Sequence, residues 1–135
     1  MRKVILAMIA LGLLGLVNTF LPRYADLPYW FNHAMHFFGG CFAGALSGAV
    51  MLLLLDWRRN SDEVLRFVLV CLAIFFGAVA LGAMWEEFEY LYFSKEILEE
   101  WSWLDLYDDT LIDMKMNRWG AFGALVLFML WRINK

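Results

Sequence analysis

From residue 34 to residue 55 the chain reads AMHFFGGCFAGALSGAVMLLLL, with no Asp, Glu, Lys or Arg. A helix needs about 20 such residues to cross the hydrocarbon of a bilayer. Residues 4–21 before this stretch and residues 67–85 after it are also free of charge. A fourth stretch, residues 111–131, is clean only from Trp119 onward; its first turns carry Asp113, Lys115, Asn117 and Arg118. A helix headed by such residues must be shielded by neighbours or line a wet cavity. The expected fold is therefore all-α, a polytopic membrane helical bundle. Its four transmembrane helices fall near residues 4–21, 34–55, 64–88 and 109–131. Between the last two, Ile97, Trp101 and Leu104 recur at i, i+4 and i+7, with Glu96, Glu99 and Glu100 elsewhere. That spacing predicts an interfacial amphipathic helix near residues 95–105.

Composition agrees. The chain has 135 residues, is 63% hydrophobic and has a mean hydropathy of +0.63. Soluble domains are about 45–50% apolar, and a short chain hides little of its surface from water. Length and composition predict one transmembrane domain over residues 1–135. A net charge of −3 gives no reason to expect a nucleic-acid partner. The two cysteines, Cys41 and Cys71, sit in apolar runs and read as core residues rather than a disulfide or metal pair. The opening MRKVILAMIALGLLGLV has the basic end and apolar run of a secretory signal. No small-x-small cleavage site follows, so it reads as a retained first helix.

Orientation follows from Lys and Arg. With the N-terminus in the cytoplasm, Arg2, Lys3, Arg58, Arg59, Arg66, Arg132 and Lys135 all fall inside. Only Arg23 and Lys95 fall in outer loops. Tyr24, Tyr29, Tyr90, Tyr92 and Tyr107 then form an outer aromatic belt with Trp30, Trp101 and Trp103, while Trp57 and Trp131 mark the inner one. The chain is therefore expected to be multi-pass, with both termini cytoplasmic.

With this topology the unusual residues share one layer. His33 and His36 open the second span, Glu86, Glu87 and Glu89 close the third, and Asp105, Asp108, Asp109, Asp113 and Asn117 run through the start of the fourth. His36 heads a four-residue repeat with Gly40, Gly44 and Gly48. Glu86 heads one with Gly82 and Ala78. Asp109, Asp113 and Asn117 lead into Gly120 and Ala124. Small residues at this spacing let helix backbones approach closely in lipid. Three tightly packed helices would thus bring His36, Glu86 and Asp113 together. Asn117 lies roughly 12 Å below Asp109 along the helix, so the expected pocket has depth and opens outward.

Two chemistries fit that pocket. His33, His36, Glu86, Asp109 and Asp113 have the donor types of a divalent metal site; imidazole with carboxylate suits zinc or manganese, and oxygen alone suits magnesium. Such an ion polarises a phosphoryl oxygen or activates water. Without metal, His36, Glu86, Glu87 and Asp113 would supply catalytic acid–base groups. Asn117 and Arg118 would orient the substrate, the guanidinium fork suiting a phosphate. The plainer readings stay open beside these: acids on a solvated surface, Asp113 paired with a cation, Asn117 as interhelical glue, and Lys115 and Arg118 reaching for headgroups.

Three stretches carry a family resemblance. They are Asn32-His33-Ala34-Met35-His36-Phe37-Phe38-Gly39-Gly40, Trp85-Glu86-Glu87, and Asp109-Thr110-Leu111-Ile112-Asp113-Met114-Lys115-Met116-Asn117-Arg118-Trp119-Gly120-Ala121. Together they resemble the VanZ-like family of small bacterial membrane proteins and related uncharacterised inner-membrane proteins. That family has a His-Phe opening one helix, a Glu near the end of the next and Asp-x-x-x-Asn-x-x-Gly opening a later one. His36, Glu86 or Glu87, Asp113, Asn117 and Gly120 occupy those places. Asn32 or His33 stands where that family often has an acid. The resemblance implies a location in the bacterial inner (cytoplasmic) membrane and a link to the cell envelope or to glycopeptide resistance, and names no reaction.

Three functions remain. One is a membrane enzyme acting on a lipid-linked or phosphorylated envelope substrate, with membrane lipids as its surroundings. Another is a non-enzymatic cation-binding or transport module. The third is a structural membrane subunit whose glycine faces hold a homo-oligomer. No ionisable residue lies between His36 and Asp56, which argues against a path through the membrane.

Overall fold

The computed structural model describes residues 29–56, 62–100 and 103–133, with side chains left out at residues 29, 56, 92–100 and 103. The expected span at residues 4–21 lies outside the described residues. Apart from Asp62, the described residues are all helical: α1 is Tyr29–Asp56, α2 is Glu63–Glu100 and α3 is Trp103–Ile133. α1 follows Pro28, so it starts a turn earlier than the charge-free stretch. Asp62 caps α2, its side chain accepting from the Val64 amide at 2.9 Å, which satisfies one of the donors left free at a helix start.

The region near residues 95–105 departs from expectation. α2 runs unbroken to Glu100 and α3 opens at Trp103, so no separate interfacial helix stands there. The chain's two prolines are Pro22 and Pro28, and no glycine lies between Gly82 and Gly120. Nothing in the covalent chain stops the helix. At 38 residues α2 is about 57 Å long, well beyond the roughly 30 Å hydrocarbon layer.

Among the described helices, α1 over Trp30–Leu55 and α2 over Glu63–Leu91 are long and apolar enough to cross a membrane. α3 falls short of that measure, because its first half carries the acids and bases noted above. The expectation of four spanning helices is thus met by two of the described helices. Their outward faces are apolar: Leu53, Phe76, Phe122 and Leu127 are each more than half exposed. A soluble monomer rarely shows so continuous an apolar surface.

α1 and α2 are antiparallel, and α3 returns parallel to α1. Each of the three packs on the other two. The glycines make this possible. A Cβ on Gly40 would collide with the Asn117 carbonyl, and one on Gly120 with the Phe37 carbonyl, so α1 and α3 touch backbone to backbone. A Cβ on Gly48 would stand 2.6 Å from Ile74 Cγ1 on α2. None of the described glycines has a positive φ; they serve close approach, not an unusual backbone. Ala43, Ala78 and Ala121 form one small buried cluster, and Leu55, Val70, Ile74 and Ala124 form the next toward the Asp56 end. Arg132 and Glu63 meet at 3.5 Å at that same end, too exposed to add much stability.

Candidate functional site

The register fixed by the glycines sets which polar groups meet. Because α1 and α3 are parallel and Gly40 lies against the Asn117 backbone, one turn toward Tyr29 carries His36 and Asp113 to the same level. α2, running the other way, brings Glu86 there. His36 Nδ1 lies 3.4 Å from Glu86 Oε1, and His36 Nε2 lies 3.2 Å from Asp113 Oδ2. One imidazole on α1 therefore stands between carboxylates of the other two helices. His36 is 6% exposed and Asp113 only 2%.

Asp113 has further partners on α1. His33 Nδ1 lies 3.0 Å from Asp113 Oδ1, and Asn32 Nδ2 donates to Asp113 Oδ2 at 3.1 Å. His33 and His36 are three residues apart, so they face the same side of α1. Both carboxylate oxygens of Asp113 are thereby engaged. Glu86 differs. Its Oε1 is buried and accepts no hydrogen bond among the described residues, because the approach of His36 Nδ1 lacks hydrogen-bond geometry. A buried acceptor left unmet costs about 1–3 kcal/mol.

The described donors form two groups able to hold a metal ion: His33 with Asp109 and Asp113, and His36 with Glu86 and Glu89. Within each group the three ligand atoms lie within 4.8 Å of one another. All five residues expected as metal ligands are present in these groups. Glu87, expected as an acid–base residue, is exposed and outside both. Glu89 takes its place beside Glu86. The reason is helix geometry: residues three apart share a face, and adjacent residues point about 100° apart. That i, i+3 spacing was a signal available in the sequence. Asn32 was also missed as a partner, and its position one turn ahead of His36 was the clue.

Asn117 is buried one turn beyond Asp113, wedged against α2: a Cβ on Gly82 would stand 2.7 Å from its Nδ2. Arg118 is exposed and lines a shallow dent with Asn117, Val79 and Met114, away from the carboxylates. The structure thus places Asn117 at the floor of the cluster and Arg118 outside it. Past Asn117 the interface becomes apolar, at Ala43, Ala78 and Ala121. The polar layer is confined to the end of the bundle that holds Tyr29.

Residues 1–134 match the model of a family described as "Predicted membrane protein (DUF2238)". The chain belongs to that family. The match makes it a membrane protein over its whole length, in keeping with the apolar helices, and does not extend to VanZ-like proteins in particular. No curated protein and no solved structure matches the chain.

Proposed function

We propose that this member of the family is a multi-pass protein of the bacterial inner membrane that holds a divalent cation in its His–carboxylate cluster and acts on a lipid-linked or phosphorylated envelope molecule. The observation that carries the reading is His36 standing between Glu86 and Asp113, with a buried Glu86 oxygen lacking a hydrogen bond. Ionisable groups inside a bilayer are costly and are kept where they serve a function. Imidazole nitrogen with carboxylate oxygen selects a transition ion such as zinc or manganese ahead of magnesium. Residues 4–21 and α3 would complete four crossings, with both termini cytoplasmic, as the distribution of Lys and Arg favours. The cluster then opens to the outer face, where envelope lipids carry phosphates. The VanZ-like resemblance points to the same compartment.

The test uses the full chain purified in detergent and equilibrated with Zn(II), Mn(II) or Mg(II). Retained metal, and its loss in His36→Ala, is the expected result. Metal-dependent release of phosphate from a polyprenyl phosphate or diphosphate would identify the enzyme. A wild-type chain that retains no metal ends this reading. The second reading is acid–base chemistry without metal, which the His36–Glu86 and His36–Asp113 contacts also favour. Under it, turnover persists in excess chelator.

A further inference from the structure

The donors of this site do not gather around one point. They sort into two trios, His33–Asp109–Asp113 and His36–Glu86–Glu89, with no shared member. Ligands on opposite sides of one zinc ion, each about 2.0–2.2 Å away, are at most about 4.4 Å apart. The ligand atoms of each trio lie within 4.8 Å of one another, so small side-chain adjustments would bring all three onto one ion. Building on the metal reading above, we propose that the cluster holds two divalent cations, one per trio, coupled through the contact between Asp113 and His36.

The coupling is visible in which atoms face which. His36 turns Nδ1 to Glu86 of its own trio and Nε2 to Asp113 of the other. The two ring nitrogens point away from each other across the imidazole. With Nδ1 on a cation, Nε2 would carry the ring proton and face Asp113 Oδ2, 3.2 Å away. A histidine that binds metal commonly orders its ring in this way, by giving the other N–H to a carboxylate. Asp113 in turn offers Oδ1 to its own trio, where His33 Nδ1 stands 3.0 Å away. Asp113 is thus a ligand of one cation and the positioning partner of the other.

Two independent features agree. Glu86 Oε1 is buried and accepts no hydrogen bond among the described residues, as a ligand atom awaiting a cation would be. The trios also contain four carboxyl groups and two imidazoles. Fully ionised, as metal ligands must be, the four carboxyls would carry four negative charges, which two divalent ions balance. Three protein ligands per ion leave coordination positions open for water or substrate, as in catalytic rather than structural zinc sites. A phosphoryl group, with several oxygens, is the class of substrate that spans two such ions.

The experiment counts metal. The full chain in detergent is equilibrated with Mn(II) or Zn(II), desalted and analysed by inductively coupled plasma mass spectrometry, with titration of Mn(II) followed by electron paramagnetic resonance. The expected stoichiometry is two per chain in the wild type. It is one in the His33→Ala/Asp109→Asn variant and one in the Glu86→Gln/Glu89→Gln variant. Glu87→Gln, an exposed acid outside both trios, keeps two. Asp113→Asn keeps one, bound about 10–100-fold more weakly than in the wild type, the usual penalty for losing an outer-shell partner. One ion per wild-type chain, lost equally from both double variants, overturns the two-cation proposal and leaves the metal reading standing. No ion in the wild type overturns both. The wild-type count decides the matter even where a variant fails to fold.

Discussion

Asp113 gathers polar contacts from three side chains of α1. Asn32, His33 and His36 all approach its two oxygens. With metal removed by chelator, Asp113→Ala leaves the Asn32 amide and two imidazoles without that acceptor. Thermal unfolding in detergent should show a loss of about 1–3 kcal/mol, the range for stranding buried polar groups. Asn32→Ala removes a single donor and should cost less. The neighbouring acids on α2 separate by face. Glu89→Gln should weaken cation binding at least about tenfold, while Glu87→Gln leaves the titration unchanged, because only the former is within ligand distance of His36. Equal effects of the two would show that the face assignment of α2 is wrong.

At the scale of the helices, the decisive feature is the missing Cβ atoms where α1 and α3 meet. Gly39 and Gly40 are sequence neighbours with different surroundings. A Cβ on Gly40 would run into the Asn117 backbone, whereas one on Gly39 meets nothing closer than Asn117 Oδ1 at 3.9 Å. Gly40→Ala should force the helices apart and cost about 1–3 kcal/mol, as overpacking does. Gly39→Ala should be neutral or slightly stabilising, since Ala is the better helix former by about 1 kcal/mol. Melting temperatures of the two variants in the same detergent compare them directly. Because Gly40 sits one turn from His36, the Gly40 variant should also lose metal affinity, through misplaced ligands rather than altered chemistry.

At the scale of the molecule, the described helices leave an apolar exterior and hold the His–carboxylate cluster toward the Tyr29 end. The proposed topology puts that end outside the cell. With Cys41 and Cys71 replaced by Ala, a cysteine at Asp108 should react with a membrane-impermeant thiol reagent added to intact spheroplasts. A cysteine at Asn60 should react only after the membrane is opened. The opposite pattern would put the cluster on the cytoplasmic side and end the envelope-substrate reading. Beyond Asn117 the packed Ala43, Ala78 and Ala121 offer no ionisable group, so the described helices show no polar path leading on from the cluster.

The sequence by itself determined the helical, membrane-embedded character of the chain. A bilayer demands long uncharged runs whatever the packing, and residues 34–55 and 67–85 satisfy that demand in one dimension. It also pointed to His36, Glu86 and Asp113 sharing a layer, since each heads a small-residue stripe along which helices pack closely. The tertiary structure alone decided the rest. That α2 runs on to Glu100 is read only from the structure, since no proline or glycine marks an end in the sequence there. The choice of Glu89 over Glu87, and the division of six donors into two trios, depend on the rotation of α2 about its own axis. Periodicity fixes which residues share a face. Only contact with α1 and α3 fixes where that face points.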